Sequence, residues 1–449
     1  MSATAPPPPA PGAPRPAPPN PARGAQVQNQ PNTRQVVARA ARSAMEGTPG
    51  TMRLLGAIAI VACLLFGVLA YVGVSKRADA LAGARADAAQ LVRVQAIRTN
   101  LVAADASLTN AFLVGGLEPA AERAAYTNGI SSASKILAEA SGVNADDAVT
   151  LQKVNDVITT YTGLVEAARS NNRQGYPIGA AYLRQATNLL RDQALPVLER
   201  LVATEEQRVD DAYSSSANAV IFLVVGLVLA LVALAVLLGF LAVKTRRWIN
   251  VPIAVAAIAV LAVGLIALVL MAGSQHKANN ARQGPYRETV ALATARIDAF
   301  DAKSAESLTL IARGSGDAYD KRFDQLAANA RLVLSTVGSQ RGTEPAAPFE
   351  DYLKVHAAIR QADQSGNYDR AVQLATAATV AGSRTANATF VSFDKASAAA
   401  LADQSSNLRN ELGSARTPLL VISWVALLVG LLAAVATYRG VSTRLREYR

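Results

Sequence analysis

Residues 219–243 decide the fold class, because the stretch 219-AVIFLVVGLVLALVALAVLLGFLAV-243 carries no charged side chain. At ~1.5 Å rise per residue, a helix of this length exceeds the ~30 Å hydrocarbon core of a bilayer. Three further uncharged runs of similar length occupy residues 54–74, 251–272 and 419–438. Four such runs in one chain predict four transmembrane helices rather than buried helices of a soluble protein.

The charge distribution predicts the orientation of these four helices. The short segments 1–53, 244–250 and 439–449 together hold 13 basic and 2 acidic residues, a net charge of +11. The whole chain is also +11, so the two long segments, 75–218 and 273–418, are neutral on balance. Basic residues accumulate on the cytoplasmic side. We therefore expect a plasma-membrane protein with both termini in the cytoplasm and both long segments outside the cell.

The position of the basic residues also indicates which kind of partner they bind. A pI near 9.9 is typical of nucleic-acid-binding proteins. Here the excess lies beside the membrane, where it sets topology and attracts anionic lipid, so no nucleic acid is expected. The cytoplasmic basic residues that we single out are Lys244, Arg246, Arg247, Arg444, Arg446 and Arg449.

The N-terminal segment is rich in proline, with eleven prolines in residues 1–31. Such a segment cannot build a core and is expected to populate polyproline II. It is either a docking tail for a cytosolic partner or a disordered leader. The single cysteine, Cys63, lies in the first apolar run and excludes an intrachain disulfide.

Both long segments have the hydrophobic pattern of helices. In the first, apolar residues at alternating spacings of three and four form a seam: Leu151, Val154, Ile158, Tyr161, Val165 and Ala168. Helix-breaking residues divide this segment into four helices. The first three of these helices end near Gly115-Gly116, Ser141-Gly142 and Asn171-Asn172. The fold class is therefore an all-α membrane protein with four transmembrane helices and two extracytoplasmic four-helix bundles, 75–218 and 273–418.

Smaller features refine this picture. Pro196 is expected to kink the fourth helix of the first bundle, and Gly284-Pro285 to break the first helix of the second. Small residues four apart, Ala235 with Gly239 and Gly430 with Ala434, allow close approach of the membrane helices.

The two long segments resemble each other. Ser107-Leu108-Thr109 recurs as Ser307-Leu308-Thr309, and Gly116 recurs as Gly316 at the same offset. Further on, Tyr161 and Ala167-Ala168-Arg169 match Tyr352 and Ala358-Ile359-Arg360. We interpret the chain as an internal duplication of one unit, a membrane helix, a four-helix bundle and a second membrane helix.

The sequence contains no catalytic constellation. His276 and His356 have no second histidine or cysteine at metal-ligand spacing, and no nucleotide-binding or nucleophile motif occurs. Asp146-Asp147 are neighbours on a predicted helix and point about 100° apart, so we interpret them as solvated helix-start charge. We expect no enzyme, no cofactor and no metal. The membrane runs also lack the ionisable residues that usually line a transport path.

The connections at the far ends of the bundles are the candidate binding sites, because exposed loops often carry function. The candidate ligand-binding or partner-binding residues there are Gly115, Gly116, Glu118, Gly175, Tyr176, Gly314, Gly316, Gly366 and Tyr368. The alternative is that the glycines only terminate helices.

The layout resembles the outer domains of bacterial chemoreceptors. With its Pro-rich tail, its basic link at 244–248 and its basic end at 444–449, the whole chain resembles GlnX-type transmembrane signalling proteins of actinobacteria. That resemblance implies a relay from an amino-acid-binding lipoprotein outside to a soluble Ser/Thr protein kinase inside. An envelope scaffold and a transporter accessory subunit are the alternatives. The chain could form a homodimer, or its two units could pair within one chain.

Overall fold

The computed structural model describes residues 48–115, 117–174, 177–215, 219–245, 250–337, 343–414 and 416–446. The Pro-rich segment lies outside these residues. Within them every element is a helix, apart from an isolated β-bridge between Val380 and Ser383. The all-helical prediction is therefore confirmed for the part of the chain that the structure describes.

The first helical domain follows the predicted helix ends closely. Its helices are α1 (Thr48–Val114), α2 (Ala120–Ser141), α3 (Ala145–Arg173), α4 (Ile178–Leu189) and α5 (Leu195–Ser215). The side chain of Asn144 caps α3 by accepting from the Asp146 backbone N–H at 3.0 Å. The predicted seam of α3 is buried along its whole length.

The second helical domain contains more elements. Its helices and the remaining apolar ones are α6 (Ala219–Thr245), α7 (Val251–Ala281), α8 (Arg287–Ile311), α9 (Asp317–Val337), α10 (Thr343–Gln364), α11 (Tyr368–Thr376), α12 (Ala386–Ser414) and α13 (Arg416–Arg446). The connection 377–385 separates the short α11 from α12. In the first domain the corresponding helices, α4 and α5, are joined without such a connection.

Within the described ranges, four helices are long and apolar enough to cross a membrane. They lie within Gly50–Val114, Ala219–Val243, Val251–Ile311 and Ala386–Leu445. The apolar part of α1 packs against α6 and α13, and α7 closes the group by contacting the same two helices. Large apolar side chains such as Val228 and Leu431 face outward and are about half exposed, as lipid-facing residues are.

One expected helix break differs from the structure. Gly284-Pro285 does not break the chain, because a single π turn, Arg282–Tyr286, joins α7 to α8. A wider turn accommodates a residue that lacks a backbone N–H. A second π turn, Leu190–Ala194, precedes Pro196 and joins α4 to α5.

The predicted small-residue contacts are half correct. A Cβ built on Gly430 of α13 would lie 2.7 Å from the Gly67 Cα of α1, so the two helices touch through their backbones there. A Cβ built on Gly239 would meet nothing within 4 Å. The Gly239 prediction is wrong, because that face of α6 has no neighbouring helix at this height.

The two helical domains share α1. Leu101 and Leu108 of α1 belong to the core that continues into the apolar helices, whereas Val102 and Ala106 belong to the core of the second domain. Helix α1 therefore packs with opposite faces into both domains, and α8 is its main partner in the second domain. This shared helix places buried polar residues at the boundary.

Candidate functional site

Asp105 lies at the boundary between the two domains and is only 3% exposed. Its Oδ1 accepts hydrogen bonds from the Tyr161 hydroxyl at 3.2 Å and the Thr187 hydroxyl at 2.8 Å, both from the first domain. Its Oδ2 accepts from the Ser304 hydroxyl of α8 at 2.8 Å. Buried carboxylates need such partners, since an unpaired one is strongly destabilising. One carboxylate thus joins helices α1, α3, α4 and α8.

An ion pair continues this boundary. Arg191 of the first domain donates from Nη2 to Asp301 Oδ1 of α8 at 2.5 Å and to the Ser304 hydroxyl at 3.2 Å. Asp301 Oδ2 also accepts from Arg322 of α9 at 2.6 Å. Arg191 lies in the π turn between α4 and α5, and such turns are frequent at functional sites. We call Asp105, Arg191, Asp301 and Ser304 the boundary network.

Burial raises the pKa values of two carboxyls at the boundary, Asp105 and Asp298. Desolvation raises the pKa of Asp105. The charge of Arg191 and the hydroxyl donors offset only part of this rise. Asp298 lies one helical turn before Asp301, and burial together with the Asp301 charge raises its pKa to about 6. The pKa values of Asp105 and Asp298 are therefore closer to neutral pH than the pKa of a free aspartate side chain.

A second buried group lies within the second domain. Glu306 of α8 accepts from Lys303 Nζ at 2.7 Å and contacts His356 Nδ1 at 2.7 Å. Burial alone would raise the pKa of Glu306, but Lys303 and His356 more than offset it and lower the value to about 2. His356 also stacks on Phe323 with ring centroids 3.4 Å apart. His356 is therefore a core residue that holds α10 against α8 and α9.

A third polar cluster lies nearer the apolar helices. Asp147 is 2% exposed and accepts from Gln90 of α1 at 3.2 Å and Arg208 of α5 at 2.9 Å. The expectation that Asp147 is solvated is wrong, because the start of α3 docks between α1 and α5; Asp146 is exposed as expected. Arg208 also pairs with Glu205. Burial and the Asp147 charge raise the pKa of Glu205 to about 8.

The far end of the first domain contains some of the predicted site residues. Gly115 ends α1 with φ +70°, a conformation that side chains disfavour. Glu118 accepts from Arg169 of α3 at 2.9 Å, and the Arg169 guanidinium lies 4.4 Å from the Tyr126 ring centre. Arg169 therefore fastens the α1–α2 connection to α3. Gly116, Gly175 and Tyr176 lie outside the described residues.

The far end of the second domain brings two predicted loops together. Gly314 and Gly366 have φ of +85° and +81° and follow α8 and α10. A Cβ on Gly316 would lie 2.7 Å from the Thr309 carbonyl oxygen. The Arg313 guanidinium lies 4.6 Å from the Tyr368 ring centre, which joins the α8–α9 connection to α11. Gly314 and Gly366 therefore lie at the ends of helices, whereas Gly316 precedes α9 and leaves no room for a side chain.

The predicted basic residues fall partly inside the described part of the chain. Lys244 lies in the last turn of α6, and Arg444 and Arg446 lie in the last turn of α13. Arg246, Arg247 and Arg449 lie outside the described residues. Among the residues that the structure describes, no group of three or more histidine, cysteine or acidic side chains could hold a metal ion.

Sequence reasoning did not find the boundary network. A signal for Asp105 exists, because it interrupts the apolar run Leu101–Leu108 on a helix that is otherwise apolar there. Arg169 also carried a signal, since it belongs to the repeated motif that matches Arg360. Arg360 pairs with Asp320 of α9 at 2.8 Å, as Arg169 pairs with Glu118. Nothing in the sequence pairs Arg191 with Asp301.

Four apolar helices and two helical domains joined by a buried polar boundary define an all-helical protein that fits a membrane location. Residues 80–214 match the sequence model of the actinobacterial sensor domain. This segment runs from the second part of α1 through α5, and the match indicates a sensing or signalling role and supports a sensor protein from actinobacteria. No curated protein and no solved structure matched the sequence at a significant level.

Proposed function

We propose that this chain relays a signal across the plasma membrane, from two helical domains outside the cell to a partner in the cytosol. The sensor-domain match supports the sensing role. The charge distribution supports the orientation, because the basic excess lies in the short segments between and beyond the apolar helices. The proposed output is a separate soluble Ser/Thr protein kinase, as the resemblance to GlnX-type proteins implies.

The observation that carries this proposal is the continuity of α1. It is one unbroken helix of 67 residues, or about 100 Å at 1.5 Å per residue, and it includes the first apolar run and ends at the far connection. Helices transmit small translations and rotations along their axes because their hydrogen-bonded backbones are stiff. Since Asp105 binds α1 to the second domain, a shift between the domains would move the apolar part of α1.

The proposed input is a protein, an amino-acid-binding lipoprotein, that docks on the far end of the first domain. Three large apolar side chains are exposed there around the described connections. Val114 is 45% exposed, Leu117 is 86% exposed and Ile178 is 51% exposed. Apolar groups clustered at a surface, beside polar neighbours such as Glu118, are typical of protein-binding sites.

Membrane orientation can be tested by cysteine labelling in intact cells. In a Cys63→Ala background, Val149→Cys and Leu332→Cys place exposed thiols on the first and second domains. Thr443→Cys, near the end of α13, is the matched exposed control. A membrane-impermeant maleimide should label the first two cysteines and spare the third. Labelling of Thr443→Cys alone would exclude the proposed orientation.

The signalling role is tested by partner capture and by output. The full chain in nanodiscs should retain a solute-binding lipoprotein, and Leu117→Asp should abolish that retention. Deletion of the chain should change substrate phosphorylation by the cytosolic kinase. An envelope scaffold would instead retain cell-wall or division proteins and leave phosphorylation unchanged, and a transporter accessory subunit would alter solute uptake.

A further inference from the structure

A cavity of about 540 Å³ lies between the two domains, beside the boundary network and next to the α1–α2 connection, of which Pro119 lines the cavity. Its walls come from α1 and α2 of the first domain and from α8 and α12 of the second. Small-molecule sites in proteins usually measure ~300–1,000 Å³ and often lie between domains. The cavity is therefore large enough for a small organic ligand.

The polar side of the cavity is built from hydrogen-bond acceptors. Glu122 Oε1 accepts from Asn110 Nδ2 at 2.8 Å and from Asn387 Nδ2 at 3.1 Å. Asn110 is 2% exposed, and its Oδ1 has no hydrogen-bond partner among the described residues. The amide groups of Asn110 and Asn387 hold the Glu122 carboxylate in place by donating to it. The cavity thus offers the Glu122 carboxylate to a ligand that donates hydrogen bonds.

The charges around the cavity favour a cation. Lys303 Nζ is already bonded to Glu306 at 2.7 Å and to the Ala375 carbonyl at 3.2 Å. Asp394 is paired with Arg296 at 2.7 Å. Glu122, in contrast, forms no ion pair within the described part of the chain. A ligand ammonium would therefore find a carboxylate that has no cation bonded to it, whereas a ligand carboxylate would meet Lys303, which is already bonded to Glu306.

The remaining wall is apolar. Phe300 and Phe390 meet edge to face with ring centroids 5.1 Å apart. Ala106 and Ala125 lie on the opposite side, and Val391 is 49% exposed at the cavity. Exposed apolar surface in a concave site favours an apolar ligand body.

We propose that this cavity binds a small organic monoamine, with its ammonium group on Glu122 and its apolar body against Phe300 and Phe390. The inference goes beyond the proposed relay, because it concerns binding by the purified protein and requires no cytosolic output. A failure to bind would leave the orientation and kinase-output tests unaffected.

The experiment is isothermal titration calorimetry of the full chain in nanodiscs with phenethylamine as the probe. We expect saturable binding of phenethylamine, at least about tenfold weaker binding of the neutral analogue 2-phenylethanol, and similarly weak binding of zwitterionic phenylalanine. Glu122→Gln keeps the side-chain shape but removes the charge, and should weaken phenethylamine binding by at least about tenfold. Glu139→Gln, an exposed change on the same helix, should have no effect.

Ala125→Phe fills the cavity from α2 without changing any charge, and should abolish binding. If circular dichroism shows that Glu122→Gln is misfolded, the binding measured for Ala125→Phe tests the proposal instead. The proposal is overturned if phenethylamine shows no saturable binding at millimolar concentration, if 2-phenylethanol or phenylalanine binds as tightly, or if a folded cavity variant binds like the wild type.

Discussion

Asp105 of α1 accepts a hydrogen bond from Ser304 of α8 at 2.8 Å, across the boundary between the two helical domains. The same carboxylate accepts from Tyr161 and Thr187 inside the first domain. Because three hydroxyl groups converge on one buried acid, its removal leaves three donors without their acceptor. This side chain therefore helps to fix the position of α1 relative to the second domain, together with the apolar contacts of Val102 and Ala106.

Asp105→Ala should destabilise the protein by about 2–4 kcal/mol, because each buried donor loses a hydrogen bond and regains no water. Asp105→Asn should be milder, since an amide oxygen can accept from Tyr161 and Thr187 while its NH₂ donates to Ser304. Thermal unfolding of the purified protein in nanodiscs measures both. Asp156→Ala, on the exposed face of α3, is the control and should lie within about 0.5 kcal/mol of the wild type.

Glu205 should make stability fall as pH rises. Burial and the nearby Asp147 raise the pKa of Glu205 from 4.5 to about 8, so the folded state holds a proton that the unfolded state releases. The contribution of this proton is complete below pH 4.5, declines above it and is lost as the pH passes about 8.

Glu205→Gln should remove that slope, because glutamine stays neutral. The variant should gain stability relative to the wild type between pH 5 and pH 9, as measured by the difference in melting temperature at each pH. The difference cancels the contributions of all other titrating groups, which the two proteins share. Parallel pH profiles would contradict the raised pKa of Glu205.

Gly430→Ala should loosen the contact between α13 and α1. Its Cβ would lie 2.7 Å from the Gly67 Cα and 2.8 Å from the Cys63 carbonyl oxygen, and backbone atoms cannot move aside as side chains can. The expected destabilisation is about 1–3 kcal/mol. Gly239→Ala is the matched control, since nothing lies within 4 Å of its Cβ. Equal melting temperatures for the two variants would show that the helices do not touch at Gly430.

The structural features that could be predicted from the sequence are those that depend on residues close together in the chain. The end of α1 at Gly115 follows from the left-handed conformation that glycine accepts, and the seam of α3 from Leu151 to Ala168 follows from helical periodicity. The π turn at Pro285 was not predictable, because whether a proline breaks a helix depends on whether neighbouring packing keeps the helix together.

The candidate site was only partly predictable for the same reason. Glu118 and Tyr368 lie in loops that composition identifies, and the structure adds their partners, Arg169 and Arg313. Arg191 and Asp301 are separated by more than a hundred residues, and their pairing exists only because the two domains meet along α1 and α8. A single sequence gives no sign of which distant charges become neighbours.

The Arg191–Asp301 pair yields the last prediction, because both side chains are less than 10% exposed and Asp301 has a second partner, Arg322. Removal of one partner of a buried ion pair leaves an uncompensated charge, which typically costs about 3–5 kcal/mol. Arg191→Ala leaves Asp301 paired with Arg322, so its destabilisation should lie at the lower end of this range. Asp301→Ala leaves two arginines without a carboxylate and should be the more damaging change.

Chemical denaturation in detergent micelles ranks the two single variants and the double variant. The double variant should be no less stable than Asp301→Ala, because it buries one arginine fewer without a partner. Arg331→Ala breaks the exposed pair with Glu350 and serves as the control, with an expected effect below about 1 kcal/mol. Equal effects of Arg191→Ala and Arg331→Ala would mean that the two domains are not held together by this ion pair. The boundary would then rest on Asp105, on the hydrogen bond between Asn387 and Glu122 and on the apolar contacts.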